Sequence, residues 1–337
     1  MNEQRQSMPT ATADNKTRFR LVTRSDFDGL VCAALLKELD LIDDILFVHP
    51  KDVQDGKVEI TPQDITTNLP YAPNCHLAFD HHKSEILRRQ SGNVLFYLLG
   101  EQHEEAPSNH IIDPNAPSAA RVVYDYYGGA KTFPNIPEDL MLAVDKADSA
   151  QYDHEDIVDP KGWVLLNYLM DARTGLGRFK NFRISNYQLM MLLIDYCRTH
   201  SAEEILELPD VKERVELYNQ HRQDAEEQLR RCATVHEHLV VLDLRHEEVI
   251  YPTNRFLIYA LFPACSISIH VMWGKQQQNI VFAMGKSILN RTSKTDVGKL
   301  ALIFGGGGHE AAGTCQVELQ DSAYVMGSLI RRILHDG

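Results

Sequence analysis

RFRLVTRSDFDGLVCAALLKEL, residues 18–39, runs from an apolar strand through Asp26-Phe27-Asp28-Gly29 straight into a helix of good propensity. A strand feeding a helix in this way opens an α/β sheet, and such sheets bind ligands beyond the carboxyl ends of their strands. Gly29 permits the tight turn. Asp26 and Asp28, two residues apart across the strand tip, suit two carboxylates turned toward one cavity.

Two further stretches must be read with it. In CHLAFDHHKSE, residues 75–85, Leu77 to Phe79 form a short buried strand that carries Asp80, His81 and His82 to the same kind of edge. Adjacent strand residues point to opposite faces, so the chain has to turn at about His82 before these groups converge. A surface turn with two solvated histidines is the plainer reading. FGGGGHEAAGT, residues 304–314, lacks the Gly-Lys-Ser/Thr ending of a P-loop. Its bare backbone amides can approach a phosphate, and a helix N-terminus after it would reinforce them. The alternative is a flexible turn.

Around these stretches the spacing predicts strands over residues 18–24, 44–50 and 77–82, with a weaker extended segment at 60–70 that puts Asp64 at a strand end or turn. Helices follow at 117–126 and from 137 onward, the second carrying Asp145 and Asp148 three apart on one face near its end. Carboxylates there oppose the helix dipole, which calls for a compensating cation or donor. Residues 161–234 read as a helical connector, including the charged stretch VKERVELYNQHRQDAEEQLRRCATV. The small basic-aromatic cluster RFKNFR, residues 178–183, could line a polyanion cleft. After His238 the period changes to strands interleaved with helices, with the last helix in AYVMGSLIRRIL. The expected division is a polar disordered tail at 1–17, a mainly parallel α/β lobe at 18–160, the connector at 161–234, and a smaller α/β lobe at 235–337, with the active site in the cleft between lobes.

Of the 337 residues, 44% are apolar, enough for two cores, yet no run reaches the roughly 18 residues of a membrane helix. Six dispersed cysteines without a CxxC pair fit buried thiols of a cytoplasmic protein rather than a thiolate site or disulfide framework. Residues 1–160 hold 27 acidic and 14 basic residues, while the rest of the chain is balanced. The whole negative excess therefore accompanies the Asp and His clusters. That favours bound divalent cations and disfavours a long nucleic-acid track. Asp26, Asp28, Asp64, Asp148 and His81 form an oxygen-rich set with an imidazole, suited to Mn²⁺ or Mg²⁺. Two such ions can acidify a water and clamp a phosphoryl group.

The conjunction of DxDG at 26–29, DHH at 80–82 and GGGHxAAG at 306–313 resembles the DHH phosphoesterase family with its DHH-associated C-terminal domain, over nearly the whole chain from about residue 18. The resemblance implies a phosphodiesterase with two Mn²⁺ ions, Mg²⁺ being the alternative. It implies Asp26, Asp28, Asp64, His81 and Asp148 as metal ligands, with Asp64 bridging and Asp145 as the fallback for Asp148. His82 would contact the scissile phosphate and Asp80 would orient its neighbours. His309 with Gly306, Gly307 and Gly308 would hold the terminal phosphate, and Arg291 would add a cationic contact. The chain departs from the family where many members carry a metal-binding histidine before the first Asp, having Val22, Thr23 and Arg24 instead. His49 could substitute; a surface histidine is the plainer reading. The expected substrate is a short oligonucleotide or linear dinucleotide cleaved to mononucleotides, with no long nucleic acid or membrane partner and a homodimer left open. Polyphosphate or 3′,5′-bisphosphate nucleotides are the alternative substrates. A nucleotide-binding regulator that has lost catalysis is the alternative of another class.

Overall fold

The opening apolar run forms β1 (Phe19–Arg24), and Asp26 caps α1 (Phe27–Glu38) by accepting from the Gly29 amide. A Cβ on Gly29 would lie 2.0 Å from the Arg24 carbonyl oxygen, so only glycine allows this turn. The computed structural model describes residues 17–82, 85–86, 107–179 and 181–337. The tail expected at 1–17 thus lies almost wholly outside the described residues, as does Lys180 of the basic-aromatic cluster.

β1 pairs in parallel with β2 (Ile42–Val48) on one side and with β3 (Asp64–Thr67) on the other. β4 (Leu77–Asp80) and β5 (His110–Ile112) extend the sheet, giving the order β2-β1-β3-β4-β5 with every pair parallel. The short α2 (Pro50–Gln54) follows β2. Next come α3 (Ala119–Tyr126), capped by Ser118, and α4 (Glu138–Asp148). From Phe27 to Leu36 every residue of α1 is buried, as expected of a helix apolar all round.

The segment expected to be a connector does more than connect. After α5 (His154–Val158), the helices α6 (Gly162–Met170), α7 (Asn186–Tyr196), α8 (Ala202–Leu206) and α9 (Pro209–Gln220) place Trp163, Leu166, Leu193, Ile205 and Val211 in the same core as α1. The long charged helix divides at His221, which has φ −96° and ψ 5°. Beyond it lie α10 (Arg222–Cys232) and then β6 (Ala233–His236), so the strands begin before His238. The His221 ring sits 5.4 Å from that of Phe179 and 5.2 Å from that of Tyr251, filling the break.

The second sheet is mixed, in the order β10-β11-β9-β8-β7-β6. It comprises β6, β7 (Leu239–Asp243), β8 (Ile267–Trp273), β9 (Ile280–Lys286), β10 (Gly307–His309) and β11 (Ala312–Val317). One face packs on α12 (Val297–Ile303) and α13 (Ser322–Asp336). The other meets α11 (Leu257–Leu261), Tyr152 and Tyr168 in a third core that joins the lobes. No described helix is long and apolar enough to cross a membrane.

Candidate active site

The carboxyl edge of the parallel sheet gathers most of the expected groups. Asp28 is 2% exposed, and its carboxylate accepts from the amides of Ala119 at 3.1 Å and Ala120 at 2.8 Å, at the N-terminus of α3. Two strands along the sheet, at the end of β4, Asp80 Oδ1 accepts from the His81 amide at 2.8 Å and meets His82 Nδ1 at 2.7 Å. These bonds make the turn at the strand end that separates the two imidazoles. His81 Nδ1 lies 3.1 Å from the Ala116 carbonyl oxygen, which fixes the proton on that nitrogen and leaves Nε2 for other work.

His81 Nε2 approaches Asp148 Oδ2 to 2.8 Å without the alignment of a hydrogen bond. Ligand atoms of Asp28, His81 and Asp148 all fall within 4.8 Å of one another. Burial pushes the Asp28 carboxyl well above its ordinary range, and the charges of Asp148 and Asp26 push it further. Burial disfavours a charged His81 ring, but Asp148 and Asp28 outweigh it and raise the ring to about 9. Acceptors converging this way repel unless a cation lies among them. Two carboxylates and an oriented imidazole are a donor set that a hard divalent ion fits.

Asp26 stands beside this group rather than in it. Its carboxyl is raised by burial, held back by Arg24 and raised again by Asp148. Arg24 Nε is 2.9 Å from Asp26 Oδ2, so a guanidinium neighbours the carboxylate where an imidazole was missing from the first motif. Among the described residues one converging ligand group is found where two ions were expected. His49 is exposed and accepts from the Lys51 amide as the cap of α2.

Asp64 requires a correction. The parallel register sets it opposite Arg20, at the amino end of the sheet, where Arg20 Nε bonds it at 2.7 Å and the Thr61 amide at 2.7 Å. It is thus at the opposite edge from Asp28 and His81. The residue that β3 delivers to the carboxyl edge is Asn68, 2% exposed with φ 55°, whose Nδ2 lies 3.4 Å from Asp26 Oδ1. Its Oδ1 and the Asp80 Oδ2 are buried without a hydrogen-bond partner. Sequence reasoning missed Asn68 because an amide is not a usual hard-metal ligand; its place right after a Thr-Thr strand end was the available signal. Asp145 is also taken, by Ser118 Oγ at 2.7 Å and Arg121 Nε at 2.9 Å.

The second lobe supplies the facing wall. The His309 ring lies 6.5 Å from the His82 ring, inclined to it by 29°. Gly307 to His309 form an edge strand paired with β11, not a loop before a helix, so the expected helix N-terminus is absent there. The glycines are partly steric: a Cβ on Gly306 would lie 2.1 Å from the Thr314 oxygen and one on Gly308 2.3 Å from the Ala312 oxygen. A Cβ on Gly307 would meet nothing within 4 Å, so no packing requires a glycine there. Arg291 crosses between lobes, donating from Nη2 to the Ala150 carbonyl at 3.1 Å, two residues past Asp148.

A parallel-sheet lobe with a carboxylate-imidazole cluster at its carboxyl edge, faced by a glycine-edged lobe, defines the two-lobed class of phosphoesterases. No family model and no curated protein matches the chain. Among solved structures it is similar to a pGpG-specific phosphodiesterase, PggH from Vibrio cholerae, with 59% identity over 95% of this chain and 100% of that one, at a TM-score of 0.81. A Mg²⁺ complex of RecJ from Thermus thermophilus is matched at 14% identity over 95% of this chain and 50% of that one, with a TM-score of 0.49. The chain belongs to the DHH phosphoesterase family.

Proposed function

We propose that the protein is a metal-dependent phosphodiesterase that hydrolyses short linear dinucleotides of the pGpG kind to mononucleotides. The observation that carries this reading is the whole-chain likeness to a protein described as a pGpG-specific phosphodiesterase. The acidic excess of the first 160 residues supports a short substrate, since a long polyanion would be repelled.

Asp28, His81 and Asp148 would hold a divalent ion, Mn²⁺ or Mg²⁺, with Asp26 and the Asn68 amide oxygen next in reach. Bound there, the ion supplies an acidified water and a positive centre for phosphoryl oxygens. Ala116 holds His81 in the ligating tautomer, and the α3 amides hold the Asp28 carboxylate in place. Asp80 fixes the His82 ring, which contacts the scissile phosphate from the sheet side. His309 and the Gly307 amide contact the substrate from the opposite wall, and Arg291 keeps the walls in register. Incubating chelator-stripped protein with pGpG, with and without Mn²⁺ or Mg²⁺, tests the reading. GMP release that needs the ion and disappears in Asp80→Ala and His81→Ala is expected; release without any ion contradicts it.

A further inference from the structure

Residues 235–337 hold nine Lys and Arg. Arg245, Lys286 and Lys299 are each paired with a carboxylate, at 2.6, 3.1 and 2.9 Å. Three of the others gather in one place: Lys294, Arg331 and Arg332 line a groove of about 780 Å³ between α12 and α13. Among the described residues, the side chains of these three make no hydrogen bond or ion pair. The carboxylates of the groove are Asp296, which pairs with Lys299 and caps α12 through the Lys299 amide, and Asp336, 4.0 Å from His335 Nδ1. A chain of net charge −13 thus keeps a surplus of positive charge here, far along the sequence from its acidic part.

The groove is preformed. Ser328, Arg331, Arg332 and His335 recur every three to four residues and so share one face of α13. The Lys294 amide donates to the Gly337 carbonyl at 2.8 Å, tying the entry of α12 to the end of α13. Leu300 packs in one core with Leu329 and Ile333, which fixes the spacing of the two helices. Leu300 and the half-exposed Ile303 add an apolar strip beside the cations. Guanidinium forks and an ammonium next to apolar surface suit a molecule with several phosphates and a flat ring, and the volume is that of a small-molecule site.

The same helix holds the wall of the candidate active site. The Gly306 amide donates to the Ala301 carbonyl at 2.9 Å and the Val297 amide to the Glu310 carbonyl at 3.0 Å, so α12 grips β10 at both ends. A Cβ on Gly298 would lie 2.9 Å from the Gly308 oxygen and 3.0 Å from that of His309, so the helix touches the backbone that carries His309. One side of α12 therefore lines the groove while the other sets the position of the ring facing His82.

We infer that the groove between α12 and α13 is a regulatory site for a nucleoside polyphosphate, which acts on hydrolysis through α12 and the strand it grips. The regulatory half rests on the phosphodiesterase reading above; the binding half does not.

The test uses the full chain, with GTP as the probe and inorganic tripolyphosphate beside it. Calorimetry on metal-free protein compares wild type, the double variant Arg331→Gln/Arg332→Gln, and Lys275→Gln, an exposed lysine outside the groove. The wild type should bind GTP more tightly than tripolyphosphate, and less tightly as salt is added. The double variant should lose about tenfold or more in affinity, Lys275→Gln should lose nothing, and all three should melt alike because the altered side chains are exposed. In the second arm, with Mn²⁺ in excess over GTP, GTP should change KM for pGpG by about fivefold or more in wild type. The double variant should show the wild-type KM without GTP and no response to it. Absence of GTP binding by the wild type, or binding that survives the double substitution, overturns the site. Equal binding of GTP and tripolyphosphate overturns the nucleoside as its ligand. A GTP effect on KM of the same size in both proteins, or no effect in either, overturns the regulatory role. Arginine-dependent GTP binding by a protein that leaves pGpG intact sustains the site and overturns the phosphodiesterase reading instead.

Discussion

Asp28→Asn separates a metal ligand from a structural cap, because the Asp28 carboxylate serves two amides of α3 while facing Asp148 and His81. In the metal-free protein the amide keeps one acceptor and leaves one amide hydrogen unpaired, a loss of about 1 kcal/mol. Removing a buried negative charge beside Asp26 and Asp148 offsets this, so the metal-free variant should melt within a few degrees of wild type. The ion changes the comparison. At a hundred times its Kd it stabilises the wild type by about 2.7 kcal/mol, which is about 5–10 °C in melting temperature at 2–4 °C per kcal/mol. A hundredfold loss of affinity leaves only about 0.4 kcal/mol at the same concentration. Calorimetric melts with and without MnCl₂ read both effects. A variant that retains the full metal-induced shift, or that loses more than about 3 kcal/mol without metal, would refute the ligand assignment and leave Asp28 as a cap. The pH dependence has a definite sign. His81 is raised from its ordinary 6.5 to about 9, so its contribution to metal-free stability is present below pH 6.5 and is lost as pH rises through about 9. An ion must displace that proton, so its affinity should climb over the same window.

Other outcomes follow from the same geometry. Asp64→Asn should lower stability by about 2 kcal/mol through the lost Arg20 pair, with metal-induced shift and turnover unchanged; loss of the shift would return Asp64 to the metal site. Gly306→Ala should destabilise the second lobe because its Cβ would strike the Thr314 oxygen. Gly307→Ala should melt like wild type and reveal, through KM alone, whether substrate approaches that amide. Burial pushes the His270 imidazole from its ordinary 6.5 down to about 4. Its contribution is therefore present above pH 6.5 and lost as pH falls through about 4. Part of the side chain stays accessible, so about half of the full 3 kcal/mol is expected, and a His270→Asn melt series from pH 7 to 4 should be flatter than wild type.

Much of the first lobe was legible because each of its signals is local. Residues 18–39 carry strand, turn and helix in one continuous stretch, and Leu77 to His82 end in polar groups that have no reason to be buried except at an edge. What the sequence hid depends on register. The segment 60–70 offers a polar residue at each end of its strand, and only the pairing of Arg20 with Asp64 and Thr23 with Thr67 assigns Asn68, not Asp64, to the carboxyl edge of the sheet. The glycine run looked like a loop because open amides and steric necessity leave the same mark on a sequence. Packing against Thr314 and Ala312 requires two of those glycines, irrespective of any ligand.

The most direct test of the account is the rate of mononucleotide release from 5′-phosphorylated guanylate chains of two to ten nucleotides, measured in Mn²⁺ for wild type and His81→Ala. The account predicts metal-dependent cleavage that is strongest for pGpG, declines with length and vanishes in the variant. Undiminished cleavage of the longest chain, or an intact pGpG at every metal concentration, would contradict it.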